Sequence, residues 1–361
     1  MSTANGTASS PVALLTGGAG FVGVNLAKRL LDEGRRVCIL DNLARAGVRN
    51  NLRFLQERYP ARLDVLVADV RDDGAVTRAV ERADEIYHLA AQVAVTTSLT
   101  APVEDFDINA RGTLNVLEAA RRRKPAPLVI YTSTNKVYGN LADVALKKQS
   151  QRYVPVDKVL REKGVDESRT LDFHSPYGCS KGSAEQYVLE YARSYGLPAV
   201  VFRMSCIYGP HQYGNEDQGW VAHFLIQARA GRPVSVYGDG FQVRDVLFVE
   251  DLVEAFCAAR QRIDALRGCA FNIGGGPANT LSLLELLSLL NERQGHAVAT
   301  QFVGWRTADQ RYYVSNTSRF TAVTGWQART PPREGIERLS QWLEAALPLS
   351  RGAPLPMAVS Q

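Results

Sequence analysis

Tyr177 and Lys181 are the residues of this 361-residue chain whose types and spacing most directly suggest chemistry. Four positions apart, they would lie on one face of a helix, about 5–6 Å apart at Cβ. An ammonium group beside a phenol lowers the pKa of the phenol, because the opposite charge favours the phenolate. Such a tyrosine can act as a general base toward a hydroxyl group. The spacing alone also suits an exposed surface pair, so the assignment needs support from elsewhere in the chain.

Support comes from the segment Thr132-Ser133-Thr134, which ends an apolar run that predicts a buried strand. Ligands of an open α/β sheet bind at the carboxyl ends of its strands. A hydroxyl group there could share the substrate proton with Tyr177. We therefore interpret Thr134, Tyr177 and Lys181 as the catalytic residues.

Three glycines, Gly17, Gly20 and Gly23, lie between the first apolar run and the first helical period. Without a Cβ, they permit a tight turn and let backbone N–H groups approach a pyrophosphate at a helix N-terminus. Asp41 ends the next apolar run, where a carboxylate can accept hydrogen bonds from a ribose diol. Because that carboxylate would repel a 2′-phosphate, the pattern predicts NAD rather than NADP. A chance cluster of turn glycines is the alternative, and the agreement of these features disfavours it.

The elements that must position these residues are predicted by apolar runs that alternate with helical periods. This alternation is typical of an α/β fold with a Rossmann-type doubly wound parallel sheet. The helices include one that begins at Phe21 and ends at Gly34, one over 101–123 and one over 177–195. The predicted strands cover residues 12–15, 36–41, 63–70, 85–91, 128–132 and 199–204.

The pattern changes after residue 205, where strands become short and Gly, Pro and Tyr become denser. We expect a smaller carboxy-terminal α/β substrate domain there, packed at the carboxyl ends of the main sheet's strands. Its predicted elements are strands at 234–237 and 271–273 and helices at 281–293 and 334–346.

These patterns divide the chain into two domains. We expect an NAD-binding Rossmann domain over 11–205, rejoined by about 243–260, and a discontinuous substrate-binding domain over 206–347. Residues 348–361 show little pattern and are interpreted as a flexible tail. The segment 139–176 is long for a connection, and it suggests either an enclosure for the substrate or a solvated surface insertion.

Composition disfavours several classes of protein. Lys plus Arg number 42 against 37 Asp plus Glu, and the net charge of +5 is too mild to indicate a nucleic-acid binder. The densest basic run, at 121–124, is explained as the end of a helix. No apolar stretch reaches the ~18 residues of a membrane span. We therefore expect neither nucleic acid nor membrane as a partner.

Cysteine and histidine usage predicts neither disulfides nor a metal. The five cysteines are odd in number, far apart and without a C-x-x-C pair, and the five histidines show no metal-ligand spacing. The first ten residues are small and polar, unlike a secretory signal. Together these features predict a cytoplasmic protein.

A competing motif overlaps the tyrosine and lysine pair. Residues 178–182 fit G-x-S-x-G, the nucleophile elbow of hydrolases, with Ser180 as the nucleophile. An elbow needs a buried strand that runs straight into the serine. The preceding residues 172–176 are polar and contain a proline, so the hydrolase interpretation is disfavoured.

These features together resemble the extended short-chain dehydrogenase/reductase superfamily, over about residues 12–347. The resemblance implies that Lys181 tunes Tyr177 and holds the nicotinamide ribose. The cofactor-binding set that it implies consists of Gly17, Gly20, Phe21, Val22, Gly23, Asp41, Asn42, Arg45, Asp69, Val70, Leu89, Ala90, Ala91, Asn109, Ser133, Tyr177 and Lys181. The substrate-binding set that it implies consists of Thr96, Thr134, Asn135, Cys206, Gln218, Arg244 and Arg311.

Individual segments carry this resemblance. Asp69-Val70 resembles the family's adenine-contacting pair, and Asn109 resembles the structural asparagine of the following helix. Arg244 and Arg311 lie in segments that resemble the arginine sites for a sugar-nucleotide diphosphate. Arginine is the residue expected for bidentate phosphate contacts, although either residue alone could form a surface salt bridge.

One subgroup of the superfamily is more closely similar, namely the 2-epimerases of CDP-linked sugars. The 4,6-dehydratases carry an Asp-Glu pair after the catalytic threonine, and here Asn135-Lys136 occupies that place. The similar segments are 133–139, 171–182, 217–221, 242–247 and 271–275.

The resemblance to this subgroup implies an NAD-dependent inversion at C2 of a CDP-linked 3,6-dideoxyhexose through a 2-keto sugar. It also implies a homodimer or homotetramer, for which the segments 103–121 and 184–195 could supply pairing helices. Two alternatives stay open: a nucleotide-sugar 4-epimerase of the same fold, and a non-catalytic NAD-binding regulator. Residue spacing alone identifies neither the reacting carbon nor the nucleotide.

Overall fold

The computed structural model describes residues 11–347, so the tail predicted at 348–361 lies outside the described residues. The strands in chain order are β1 (Val12–Thr16), β2 (Arg36–Asp41), β3 (Leu63–Val67), β4 (Glu85–His88), β5 (Leu128–Thr134), β6 (Leu146–Gln149), β7 (Arg152–Pro155), β8 (Ala199–Met204), β9 (Cys206–Tyr208), β10 (Val234–Tyr237), β11 (Val243–Phe248), β12 (Ala270–Ile273), β13 (Thr280–Ser282), β14 (Thr300–Val303) and β15 (Tyr312–Tyr313).

The helices alternate with these strands through most of the chain. In order, they are α1 (Phe21–Asp32), α2 (Val48–Arg58), α3 (Asp73–Val80), α4 (Val95–Thr100), α5 (Pro102–Phe106), α6 (Gly112–Arg122), α7 (Lys158–Lys163), α8 (Pro176–Tyr195), α9 (Trp220–Arg229), α10 (Val249–Gln261), α11 (Ile263–Leu266), α12 (Leu283–Gln294), α13 (Ser318–Thr324) and α14 (Pro332–Ala346). Within residues 11–347, no helix is both long enough and apolar enough to cross a membrane.

Seven parallel strands form the main sheet, in the order β12-β8-β5-β4-β1-β2-β3. Parallel sheets are covered by helices on both faces, which explains why β1 and β4 are short, almost entirely buried runs. The chain leaves β1 toward β2 on one side and later returns to β4 on the other. Such a reversal of strand order opens a crevice at the carboxyl ends of the strands, and it confirms the doubly wound fold.

Helices cover both faces of this sheet with separate apolar clusters. Leu15 and Phe202 belong to the cluster beneath α1 and α10, whereas Leu14 and Tyr131 belong to the cluster beneath α3, α6 and α8. Neighbouring residues such as Leu14 and Leu15 face opposite sides because side chains alternate along a strand. The sheet is thus a rigid base whose carboxyl edge can hold a site.

A second, smaller sheet lies downstream of residue 205. It contains β13, β11 and β15, with β9 also paired to β11, and α9, α12 and α14 pack around it in a third apolar cluster. This part of the chain confirms the change of pattern after residue 205.

Two segments differ from the sequence prediction. The strand at 271–273 was expected in the smaller domain, but as β12 it pairs with β8 at the edge of the main sheet. The segment 243–260, predicted to rejoin the Rossmann domain, belongs to both parts of the molecule. Its strand β11 lies in the second sheet, whereas its helix α10 packs on α1. Two ion pairs join these helices, Arg29 with Glu254 and Arg260 with Glu33. We propose that the Rossmann domain gains α10 to β12 rather than β11.

The long segment 139–176 packs against the second sheet. Its β6–β7 hairpin is held by the ion pair of Arg152 with Glu285 (2.5 Å) and by a hydrogen bond from the Tyr153 N–H to the Phe241 carbonyl (2.9 Å). None of its residues lines the large cavity described below. The structure therefore favours a packed insertion over an enclosure for the substrate.

Element boundaries differ from the sequence prediction in two informative ways. The strands predicted over 63–70 and 85–91 end early, at Val67 and His88, whereas β5 continues to Thr134. The helix predicted over 101–123 is interrupted by a π-helical turn at Asp107–Arg111. Such turns are frequent at functional sites. Both differences occur around the crevice.

Candidate active site

A cavity of about 660 Å³ opens at the carboxyl ends of the main strands and extends to the second sheet. It brings together most of the residues that sequence analysis assigned to the site. Those that line it are Gly17, Gly20, Phe21, Val22, Gly23, Arg45, Leu89, Ala91, Thr96, Ser133, Thr134, Asn135, Tyr177, Lys181, Cys206, Gln218 and Arg244.

Seven of the assigned residues do not line this cavity. They are Asp41, Asn42, Asp69, Val70, Ala90, Asn109 and Arg311. Asp69 and Asn42 lie close to the ribose side of the predicted cofactor site, where the Asn42 amide donates to the Asp69 carboxylate (2.9 Å). Arg71 also binds Asp69 and lowers the pKa of that carboxyl to about 2.

The glycine turn packs its backbone closely against neighbouring backbone. Gly17 has a φ of +68°, and a Cβ on it would lie 2.7 Å from the Ala90 nitrogen. A Cβ on Gly23 would lie 2.6 Å from the Gly17 carbonyl oxygen. No side chain caps the N-terminus of α1 at Gly20, and residues 20–23, at the start of this helix, line the cavity. The backbone N–H groups of this first turn suit the pyrophosphate of NAD.

Asp41 ends β2, the strand that pairs with β1 next to the glycine turn. Its buried carboxylate accepts hydrogen bonds from the Ala19 N–H (3.0 Å) and the Leu43 N–H (2.8 Å), one on each oxygen. Burial nevertheless raises its pKa above the ordinary value. An ionised carboxylate has about four acceptor sites, so Asp41 can still accept a hydrogen bond from a ribose diol. The residues present therefore fit NAD at this end of the cavity.

Tyr177 enters the cavity from the first turn of α8. Ser175 caps that helix by accepting a hydrogen bond from the Gly178 N–H (3.1 Å), and Pro176 occupies a first-turn position that needs no N–H donor. Thr134 reaches the same place from the end of β5, and its hydroxyl contact favours the phenolate of Tyr177. The two hydroxyl groups are thus set side by side by a strand end and a helix start.

The pKa of Tyr177 does not follow the sequence expectation. Burial raises it to about 12, and the contact with Thr134 offsets only part of this rise. Lys181 is itself buried, and burial lowers its pKa to about 7. Its Nζ lies 4.3 Å from the centre of the Tyr131 ring. The expected lowering was wrong for the chain's own groups, because burial disfavours both charged forms.

The substrate end of the cavity carries cations from two segments. Arg244 on β11 is buried, and its guanidinium donates to the Asp309 carboxylate (2.7 Å). Lys136 lies 3.7 Å from the same carboxylate and donates to the Ala308 carbonyl (3.2 Å). Arg306 also lines the cavity, with its guanidinium 3.8 Å from the centre of the Tyr237 ring. Two guanidinium groups in one cleft suit a diphosphate.

Arg311 is not brought into the cavity. Gln310 is fully buried and donates to the Gly139 carbonyl (2.7 Å), so the chain is anchored there. The exposed Arg311 side chain lies beside Trp305 instead, 5.1 Å from the ring centre. Arg306 was not predicted from the sequence, and the available signal was a second arginine in the same loop, three residues before Asp309.

Contacts across the cleft join the two parts of the molecule. The Thr96 hydroxyl donates to the Asp217 carboxylate (2.9 Å), and Arg45 hydrogen bonds to Gln218. Sequence analysis did not assign the aromatic and polar residues that complete this wall, although some lie in the segments noted for their resemblance. They include Gln212, Trp220, His223, Phe224, Tyr237, Trp305 and Asp309.

Ser180 does not have the setting of a hydrolase nucleophile. It lies inside α8, is buried and donates to the Asp105 carboxylate (2.5 Å). Asn109 is also buried and donates to the Ser180 hydroxyl (3.1 Å). In residues 11–347, no group of three or more His, Cys, Asp and Glu side chains could hold a metal ion.

Comparisons with known proteins agree with this geometry. Residues 13–274 match the NAD dependent epimerase/dehydratase family. The chain is 42% identical to the CDP-paratose 2-epimerase of Salmonella typhi, over 91% of this chain and 98% of that protein. It is 30% identical to a dTDP-glucose 4,6-dehydratase of Xanthomonas campestris pv. campestris, over 91% and 92% respectively.

Solved structures show the same architecture. The complex of Thermus thermophilus UDP-glucose 4-epimerase with NAD superposes with a TM-score of 0.78 at 31% identity, covering 93% of this chain and all of that chain. The glycine turn, Asp41 and the Tyr177 pair thus lie in a fold that holds NAD in a relative. The chain belongs to the NAD dependent epimerase/dehydratase family and is an enzyme that works with NAD.

Proposed function

We propose that the protein inverts C2 of a CDP-linked 3,6-dideoxyhexose, in the manner of CDP-paratose to CDP-tyvelose, through a transient 2-keto sugar. The observation that supports this most is one cavity that holds Tyr177 and Thr134 between the glycine turn and a pair of arginines. A nucleotide sugar anchored by Arg244 and Arg306 would present its hexose to Tyr177 and Thr134.

In this mechanism the phenolate of Tyr177 takes the proton of the C2 hydroxyl, and Thr134 holds the same oxygen by a hydrogen bond. When bound, NAD supplies the redox chemistry, since it accepts a hydride from C2 and returns it to the opposite face of the sugar. Tyr177 then gives its proton back to the C2 oxygen, so the catalyst ends as it began. Lys181 stands next to this exchange and favours the phenolate when it is charged.

The sugar must turn over between the two transfers while its nucleotide stays in place. Arg244 and Arg306 lie on separate segments of the second part of the molecule, so a diphosphate can be held there from two sides. The cavity volume of about 660 Å³ is within the range of ligand sites and leaves room for a rotating ring.

The choice of C2 and of CDP rests on the similarity to the Salmonella typhi enzyme. Asn135 and Lys136 stand where the 4,6-dehydratases carry an Asp-Glu pair, which disfavours water elimination. The fold match to a UDP-glucose 4-epimerase favours a 4-epimerase as the second candidate. A non-catalytic regulator is disfavoured, because Thr134, Tyr177 and Lys181 are all present and lie in the cavity.

The decisive experiment uses CDP-paratose deuterated at C2, with NMR of the product in ordinary water. We expect inversion at C2, full retention of the label at C2 and a slowed rate. Loss of the label to solvent would contradict the redox mechanism. Turnover of UDP-glucose with inversion at C4 would instead support the second candidate, with the same roles for Thr134 and Tyr177.

We also propose a homodimer or homotetramer that pairs through the helices at 103–121 and 184–195. Val103 is 73% exposed and Phe106 is 50% exposed, and Tyr187 and Tyr195 on α8 are also exposed. Exposed apolar side chains in one region mark an interaction surface. Val103→Glu should lower the sedimentation coefficient, whereas Val323→Glu, at an exposed site on α13, should not.

A cytoplasmic location is part of this proposal. All five cysteines are free thiols in the structure, which suits a reducing compartment. Fractionation of producing cells should recover the protein with cytoplasmic markers, and recovery in an oxidising compartment would contradict the assignment.

A further inference from the structure

Asp105 is a buried carboxyl group that the proposed mechanism does not use. It lies on α5 and is only 1% exposed. Three side chains from three different segments donate to it: Ser180 (2.5 Å), Gln92 (3.1 Å) and Asn109 (3.1 Å). All three donors are electrically neutral, so they orient the carboxylate without cancelling its charge.

Glu185 offers an instructive contrast, since it is the other buried carboxylate close to Lys181. The Arg203 guanidinium binds it through two nitrogens (2.7 and 3.1 Å), and the Ser133 hydroxyl donates to it (2.7 Å). Its charge is therefore already paired. In the described part of the chain, Asp105 has no such ion pair. It lies on α5, which packs against α8, and it accepts a hydrogen bond from Ser180, the residue before Lys181. Its charge favours the charged form of Lys181.

Because Lys181 is buried, its charged form needs a counter-charge. Lys181 is 2% exposed, and charged groups are rarely buried unless a partner compensates them. The neighbours of Lys181 on other strands supply no counter-charge: Tyr131 presents its ring, and burial lowers the pKa of His88 to about 3. Burial raises the pKa of Tyr177, one turn earlier on α8, to about 12, so in the free protein its phenol offers no counter-charge.

We propose that Asp105 is the counter-ion of Lys181, a positioning residue that keeps this lysine charged beside Tyr177. The inference rests on the proposed function only for the role of Lys181 in turnover. It also explains the buried Ser180 of the G-x-S-x-G motif and the buried Asn109. Both donate to the Asp105 carboxylate. Burial raises the pKa of Asp105, and the hydrogen bond from Ser180 and the charge of Lys181 oppose that rise.

The direction of the effect follows from the charges. Burial lowers the pKa of Lys181 to about 7, and Asp105 opposes that fall. Without the carboxylate, the pKa of Lys181 falls further, by about one unit, as expected for the loss of a nearby opposite charge. Above both pKa values, a one-unit fall leaves about tenfold less protonated lysine.

The test is a direct titration of Lys181 that needs no substrate. The holoenzyme carries lysine labelled with ¹³C at Cε, and the NMR signal of Lys181 is identified by its absence in Lys181→Met. We expect Asp105→Asn to lower the titration midpoint by about one unit. The matched control is Glu104→Gln, which removes the neighbouring carboxylate on the exposed side of α5 and should leave the midpoint unchanged.

An unchanged midpoint in a folded Asp105→Asn protein would overturn the proposal. If that variant does not fold, Ser180→Ala removes one hydrogen bond and keeps the carboxyl group. It should shift the Lys181 midpoint in the same direction by a smaller amount, and no shift would again contradict the proposal. Because this readout requires no turnover, a wrong sugar or a wrong reacting carbon would leave it unaffected.

A second readout joins the inference to catalysis. The alkaline limb of the turnover rate should move to lower pH in Asp105→Asn by the same interval as the NMR midpoint. Equal loss of turnover at every pH, without a displaced limb, would indicate a merely structural role. Turnover is therefore measured across the pH range in Asp105→Asn and in Glu104→Gln.

Discussion

At the cofactor end of the cavity, Gly17, Gly20 and Gly23 come from one turn, and Asp41 ends the strand beside it. At the substrate end, Arg244 comes from β11 and Arg306 from a loop before β15. The first set is local, so its geometry is fixed by neighbours in the chain. The second set is assembled by long-range pairing. A site formed by residues close in the chain can be predicted from sequence alone. A site formed by distant segments cannot, because sequence does not show which side chain of each loop points into the cavity.

The largest effect should come from a change that breaks the local motif. Gly23→Ala places a Cβ 2.6 Å from the Gly17 carbonyl oxygen, and both atoms belong to a backbone that cannot give way. We expect protein that carries no NAD and shows no turnover. Denaturation and assay of the supernatant for NAD measures the loss.

Gly74→Ala is the matched control for that change. Gly74 lies in the first turn of α3, where a Cβ would meet only side-chain atoms at 3.4 Å. Glycine-to-alanine changes at such positions stabilise a helix or are neutral. Normal NAD content in Gly23→Ala would show that the turn is only a loop, and that the assignment of the cofactor end is wrong.

Next in size is the effect of Tyr177→Phe, which removes the general base and keeps the ring. Loss of such a group lowers turnover by about 10² to 10⁴-fold. NAD content and substrate affinity should change little, since the ring still fills its site. Thr134→Val should cost less, because water can replace part of the hydroxyl contact. Wild-type turnover in Tyr177→Phe would remove Tyr177 from the mechanism.

The fold could be predicted largely from sequence, and the exceptions have physical causes. Most strands of the main sheet could be predicted because parallel strands are buried on both faces and therefore form short, nearly continuous apolar runs. β12 was assigned to the wrong sheet, since the short strand predicted at 271–273 carries no information about its partner strand. The same limit applies to the segment 139–176, where length suggested an enclosure and pairing with the second sheet decided otherwise.

The site shows the same division. The types of Tyr177, Lys181 and Thr134 indicated the chemistry, but their pKa values depend on burial, which spacing does not reveal. Asp105 lacked any signal of its own in the sequence, because its three donors come from separate segments. Asn109 was recognised by resemblance as structural, and the structure shows which groups it holds.

A paired substitution at the substrate end tests the comparison directly. Arg306→Ala should raise KM for the nucleotide sugar by about tenfold or more, as expected for a lost charge-assisted contact. Arg311→Ala, five residues along the chain, should leave KM unchanged, because its side chain is exposed and lies outside the cavity. The reverse result would restore the sequence-based assignment and contradict the structural one. Steady-state kinetics with the CDP-sugar decides between them.

The last prediction concerns the loss of folding stability at acidic pH, through a buried histidine beside the cofactor end of the cavity. His88 at the end of β4 joins Thr16 (2.6 Å) to Thr113 (2.9 Å), and burial lowers its pKa from 6.5 to about 3. Unfolded chains therefore bind a proton at this histidine between pH 6.5 and about 3, and the folded chain does not. Its contribution to stability is fully present above pH 6.5 and falls by about 1.4 kcal/mol for each pH unit below.

We expect the midpoint of urea unfolding to decrease below pH 6.5, and His88→Asn to reduce this slope while lowering stability at pH 7. His296→Asn is the control, because that side chain is exposed and should not alter the pH dependence. An unchanged acid slope in His88→Asn would mean that other groups carry it. His211, whose pKa burial lowers to about 4 beside α2, would then be the next candidate. In that case protonation of His211, where the two parts of the molecule meet, would destabilise the fold before protonation of His88 at the end of β4.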